Sequence, residues 1–133
     1  MLNEKELIEE AVKARERAYA PYSGFQVGAA LLAVDGRVFT GSNVENASYG
    51  LTMCAERVAL FKAVSEGARE FTAIAISCGE GACAPCGACR QVLSEFAPDL
   101  LVIMTDGEGK RVRRGTLSAL LPLSFGPKEL RGP

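Results

Sequence analysis

Three thiols and one carboxylate, set in two short stretches, are the residues of this chain best suited to chemistry. Thr52-Met53-Cys54-Ala55-Glu56-Arg57 places a thiol and a carboxylate two residues apart. Its complement is Ala84-Pro85-Cys86-Gly87-Ala88-Cys89-Arg90-Gln91, whose Cys86 lies thirty-two residues beyond Cys54. Clustered thiolates are ligands for zinc above all, and the chain has no histidine, so a zinc site must rest on sulfur or carboxylate. Cys83, Cys86 and Cys89 offer two overlapping Cys-x-x-Cys pairs. Pro85 favours the second pair, because proline suits the first position of a helix. Cys86 and Cys89 then lie one turn apart on one face, with Cys83 left in the loop. Cys54 is expected in the first turn of its own helix. Two helix N-termini aimed at one cation favour the thiolate form. Three thiolates exceed the charge of Zn²⁺ by one, and Arg57 and Arg90 are placed to offset that excess by hydrogen bonding to sulfur.

A fourth protein ligand would close the site and make it structural, whereas a catalytic zinc keeps a position for water. Cys83 and Cys78 are the candidates for that fourth place. A redox Cys-x-x-Cys is a third reading, and spacing alone leaves all three open. Glu56 favours catalysis: beside a metal that lowers the pKa of water towards ~7, a carboxylate that is not itself a ligand can take the proton. Its plainer reading is a first-turn glutamate favoured by the helix dipole.

The elements that must position these groups follow from periodicity and punctuation. Residues 3–20 read as an amphipathic helix, with Asn3 and Glu6 as a capping box and Pro21 as the stop. Phe25 to Val34 reads as a buried strand, Asp35-Gly36 as a hairpin turn, and Arg37 to Asn43 as the returning strand. Asn43 to Thr52 is polar and turn-like, a usual place for substrate contacts. Thr52 is expected to cap a second helix ending near Gly67. Phe71 to Ser77 is a buried strand, Pro85 to about Phe96 a third helix, and Leu100 to Thr105 another strand. Lys110 to Arg114 reads as a basic edge strand of solvated gatekeepers. The last stretch is read as leucines among proline and glycine, then a polar tail. Strands alternating with helices predict a three-layer α/β/α sandwich with a mixed five-stranded sheet, as one domain over residues 1–133.

Gross composition limits the function classes. At 133 residues, with 48% hydrophobic and 23% charged side chains, the chain can bury one core, and its apolar content suggests subunit contacts. A net charge of −1 gives no global attraction to nucleic acid or to anionic membranes. No apolar run approaches the ~20 residues of a membrane span. The first residues lack a signal-peptide pattern, so a cytoplasmic location is expected. Five cysteines, four of them between positions 78 and 89, point to metal or redox chemistry in a reducing compartment.

Cys-Ala-Glu paired with Pro-Cys-x-x-Cys resembles the zinc nucleoside and nucleobase deaminases. The longer string Gly41–Arg57 resembles cytidine deaminase in particular, over essentially residues 3 to 126. With Cys54 rather than histidine as first ligand, the chain is similar to the small homotetrameric branch. The resemblance implies one zinc per chain held by Cys54, Cys86 and Cys89, with Glu56 as proton carrier; Cys78 and Cys83 fall outside that ligand pattern and are expected to be spare thiols. It implies hydrolytic deamination of cytidine and 2′-deoxycytidine to uridine and 2′-deoxyuridine, with ammonia released, as in pyrimidine salvage. Asn43 and Glu45 would hold the ribose, Phe25 would pack on the base, and the Ala55 amide would read its edge. Ala47, Tyr49 and Phe125 would come from neighbouring subunits, so that active sites are shared. No nucleic acid or membrane partner is implied. A blasticidin-type or editing deaminase, or a structural zinc module that is not an enzyme, are the alternatives.

Overall fold

The computed structural model describes residues 2–132. Its first helix, α1, spans Glu4–Arg15. It opens as the sequence predicts: Asn3 Oδ1 accepts from the Glu6 N–H at 2.9 Å, and the Glu6 carboxylate accepts from the Asn3 N–H at 3.2 Å. This capping box satisfies two amides that a helix start leaves without partners. The helix ends at Arg15, not at the predicted Ala20. Tyr19 is used otherwise: its N–H donates to the Asn43 carbonyl, and its own carbonyl accepts from Glu45 N–H. A helix continued through Tyr19 would forfeit this tie to the polar loop.

Five strands follow: β1 (Gly28–Ala33), β2 (Val38–Ser42), β3 (Phe71–Ser77), β4 (Leu101–Thr105) and β5 (Val112–Thr116). They form one sheet in the order β2-β1-β3-β4-β5. Only β3 and β4 run parallel; the other neighbours are antiparallel. A parallel pair needs a crossover, and helix α3 (Gly87–Phe96) supplies it. Helix α2 (Ala55–Ser65) lies between β2 and β3 in sequence. Two short helices, α4 (Leu117–Leu120) and α5 (Pro127–Arg131), end the chain, the latter where only a polar tail is expected.

The sheet separates two cores. On one face Leu7, Ile8 and Ala11 of α1 pack on Ala30, Leu32 and Ile103. On the other, Leu60 of α2 and Leu93 of α3 join a cluster with Leu31, Ile74, Ile76 and Val102. β1 and most of β3 are buried on both faces, which is why their sequences run apolar without alternation. The result is the expected α/β/α sandwich over a mixed five-stranded sheet. β1 begins at Gly28, so Phe25, expected to start it, stands outside. The basic strand β5 is at the sheet edge; Arg114 pairs with Glu4, and Lys110 with Glu108 at 3.0 Å. No helix among the described residues is long and apolar enough to cross a membrane.

Two glycines set how closely helices sit on strands. A Cβ at Gly28 would lie 2.2 Å from the Ala11 carbonyl oxygen of α1. One at Gly41 would lie 2.5 Å from the Ala55 carbonyl oxygen of α2, and 2.6 Å from the Ala59 amide nitrogen. At both points helix backbone rests directly on the sheet.

Candidate active site

Cys54 and Cys86 are the N-cap residues of α2 and α3, one step outside the helices they introduce. Thr52 and Pro85, predicted as cap and first helical residue, therefore each lie upstream of their expected positions. The Thr52 hydroxyl instead accepts from Asn46 N–H at 3.1 Å, and Pro85 is buried ahead of Cys86. Both N-caps have extended backbone, and neither thiol caps the backbone of its own helix, so both are available to a common neighbour. Cys54 Sγ lies 3.8 Å from Cys86 Sγ, which lies 3.4 Å from Cys89 Sγ. All three sulfurs fall within 4.8 Å of one another.

This geometry fits a zinc ion. Tetrahedral coordination at Zn–S of about 2.3 Å requires sulfurs about 3.8 Å apart. The cluster holds three sulfurs among the described residues, the open set that leaves a position for water. Cys78 and Cys83 do not complete it. They are not spare thiols either, because a disulfide joins them and closes the loop after β3. Their separation of five residues permits the bond, but only the fold, which returns the loop onto the end of β3, brings them together.

The electrostatics suit a thiolate site. A hydrogen bond from the Cys89 thiol, then one from Arg57, brings the Cys54 pKa down to about 5. Arg57 Nη2 stands 3.4 Å from Cys54 Sγ, within reach of the thiolate. Cys89 is pushed up, first by its hydrogen bond to the Cys54 thiolate and then by burial. A bound cation would displace the Cys89 proton. Glu56 is only 4% exposed, and burial is the main cause raising its pKa, reinforced by the Cys54 charge. A buried carboxyl beside a thiolate cluster can both take and return a proton. Arg90 does not reach sulfur. Its Nε donates to the Pro85 carbonyl at 2.8 Å and its Nη1 to the Leu120 carbonyl at 2.7 Å. Being next to Cys89 on a helix turns its side chain roughly 100° away from the ligand face.

The expected substrate residues Phe25, Asn43, Glu45, Ala47 and Tyr49 fall on two facing loops, whereas Ala55 begins α2 and Phe125 follows α4. Asn43 is buried; its Oδ1 accepts from Val27 N–H at 2.9 Å and its Nδ2 donates to the Phe25 carbonyl at 2.8 Å. Glu45 accepts from the amides of Tyr22 at 2.9 Å and Ser23 at 3.1 Å, and from the Ser23 hydroxyl. That hydroxyl is the largest cause holding its pKa below the usual carboxylate range. Ser23, missed in the sequence, is thus the anchor of Glu45; its place in a Pro-Tyr-Ser-Gly turn was the available signal. Val44 and Met53 exchange backbone hydrogen bonds at 3.0 and 2.9 Å. One closed loop therefore carries Glu45, Ala47 and Tyr49 and delivers Cys54. Ala55 is fully buried, and as first residue of α2 its N–H has no partner within the helix. Phe25, Tyr49 and Phe125 are 52%, 74% and 57% exposed. Tyr22, Ser23, Glu45, Tyr49 and Thr52 line a concavity of about 370 Å³. A larger hollow of about 740 Å³ beside α1 and β5 holds none of these residues.

Comparison with known proteins bears on the site. Residues 1–105 match the family described as the cytidine and deoxycytidylate deaminase zinc-binding region. A cytidine deaminase of Halalkalibacterium halodurans is 54% identical over 126 residues, 93% of this chain and 95% of its own. One from Mycobacterium tuberculosis is 47% identical over 121 residues, 90% of this chain and 87% of its own. The crystal structure of a Burkholderia pseudomallei cytidine deaminase superposes with a TM-score of 0.90 at 54% identity, covering 93% of this chain and all of that one.

Proposed function

This chain belongs to the cytidine and deoxycytidylate deaminase family, and from that premise we propose that it converts cytidine and 2′-deoxycytidine, with water, to uridine and 2′-deoxyuridine plus ammonia. The observation that carries the reading is the juxtaposition of three open-set sulfurs with a buried, non-ligand Glu56. Cys54, Cys86 and Cys89 would hold a zinc ion, which when bound would act as a Lewis acid and make water acidic near neutral pH. Glu56 takes the proton from the attacking water at its carboxylate and passes it to N3 of the base. It then helps protonate the departing exocyclic amine. Its raised proton affinity and its exclusion from solvent support this carrier role. Arg57 offsets thiolate charge through Cys54. The Ala55 amide, without a partner inside its helix, reads a base edge, and Phe25, half exposed, packs on the pyrimidine.

Asn43 and Glu45 bind the ribose diol, an assignment supported by their being held rigid before substrate arrives. Residues 1–133 act as one deaminase domain. Ala47, Tyr49 and Phe125 contribute to a neighbouring copy's site in a homotetramer, a reading supported by the exposure of Tyr49, Leu51, Leu123 and Phe125 on the same surface loops. Cytoplasmic action in pyrimidine salvage accords with the small nucleoside substrate.

Loss of ultraviolet absorbance on incubation with cytidine, with zinc quantified on the same sample, tests the reading. Turnover with about one zinc per chain is the expected result. Bound zinc without turnover on either nucleoside would leave a structural zinc module.

A further inference from the structure

Residues 90 and 91 follow Cys89 directly, and the side chains of both are engaged with backbone carbonyls instead of sulfur. Arg90 donates to the carbonyls of Pro85 and Leu120. Gln91 Nε2 donates to the carbonyl of Phe125 at 2.8 Å. Between Leu120 and Phe125 the chain turns through Leu123, whose φ of +52° lies in the left-handed region and whose side chain is fully exposed. A leucine adopts that conformation only where its surroundings impose it. Here the two ends of the turn are each held by one of two consecutive residues of α3.

The geometry points to Arg90 and Gln91 as positioning residues, a latch that ties the presentation of Phe125 to the helix bearing Cys86 and Cys89. Arg90 fastens the Pro85 carbonyl, adjacent to ligand Cys86, and the start of the C-terminal turn with one guanidinium. Gln91 fastens the far end of that turn at Phe125 itself. The backbone of Phe125 is held while its ring stays exposed, which is the arrangement needed to offer the ring to something other than this chain's own core. The inference rests on the reading of Phe125 as a substrate-contacting residue and adds what aims it. Since Gln91 touches neither reacting atoms nor sulfur, its loss should weaken binding of substrate without slowing the proton transfers of Glu56.

The test is steady-state kinetics with cytidine on Gln91→Glu, which keeps shape but removes the donor, and on Gln91→Met, which removes it without adding charge. Zinc content and assembly size are measured on each sample. Loss of one hydrogen bond of this kind predicts a KM raised roughly three- to tenfold at unchanged kcat and zinc content. Gln91→Lys, which restores a donor, should return KM to within about twofold of the parent. A merely structural role would lower kcat or zinc content in step, and would not be rescued by lysine. Phe125→Ala is measured alongside, alone and combined with Gln91→Glu. KM raised by Phe125→Ala, and not raised further in the double variant, supports the latch. KM raised by Phe125→Ala but unmoved by both Gln91 variants overturns the latch alone. KM unmoved by Phe125→Ala overturns both the latch and the reading of Phe125 beneath it.

Discussion

At the metal corner Cys89 and Glu56 are buried, the sulfurs lie within 4.8 Å of one another, and Arg57 already touches Cys54. At the rim Phe25, Tyr49 and Phe125 stand more than half exposed. One chain thus assembles its sulfur cluster near a buried carboxyl but leaves its aromatic rim open. The two regions rest on different supports. Helix starts and a glycine contact hold the corner, whereas side-chain hydrogen bonds, between two loops at Glu45 and from α3 at Phe125, hold the rim. Chemistry should therefore fail through the corner, and substrate affinity through the rim.

The largest effect should come from the corner. Glu56→Gln is expected to lower kcat by roughly 10²- to 10⁴-fold, the usual worth of a positioned proton carrier, while zinc content and melting temperature hold. Activity within tenfold of the parent would remove Glu56 from the proton path. Arg57→Gln should weaken metal affinity roughly 10- to 100-fold, as loss of an outer partner to a ligand does. Competition with a chromophoric chelator reads this directly, and an unchanged dissociation constant would make the Arg57 contact incidental.

The rim should answer differently. Asn43→Ala orphans Val27 N–H and the Phe25 carbonyl, at a cost of about 1–3 kcal/mol per buried group left unsatisfied. Urea denaturation should show the midpoint falling; an unmoved midpoint would mean water replaces the amide freely. Tyr49→Ala should leave stability within about 0.5 kcal/mol, being an exposed site, yet raise KM. If it instead lowered kcat at constant KM, rim and corner would not be separable. The smallest effect concerns pH. Glu45 has its pKa lowered in the folded chain, so its hold on Tyr22 and Ser23 is fully present above its ordinary value of 4.5. It is lost as pH falls through the lowered value. Hydrogen exchange at the Tyr22 and Ser23 amides should therefore be protected near neutrality and released only in acid.

Much of the corner was legible in the sequence because its signals are local. Cys-x-x-Cys behind a proline, and Cys-Ala-Glu at a helix start, need no tertiary information. Strand β3 was legible for the same reason, as a β-branched apolar run. What escaped depended on distant partners. Only Ala20, which precedes Pro21, is locally disfavoured from helix; α1 stops earlier, where Tyr19 bridges to residues some twenty-five positions away. Arg90 looked like a partner for sulfur until Leu120 was folded beside it. The Cys78–Cys83 pairing and helix α5 likewise depend on contacts that no short window of sequence contains.

Gly41 carries a consequence for how this sequence can change. The height of α2 above β2, and with it the level of Cys54 and Glu56, is set by the absence of one methyl group. Interior leucines and isoleucines can be exchanged for one another at modest cost, since volume can be redistributed among neighbours. A missing atom offers nothing to redistribute. A library randomised at position 41 and selected for growth on cytidine should return glycine alone, while the larger, greasier positions around it drift.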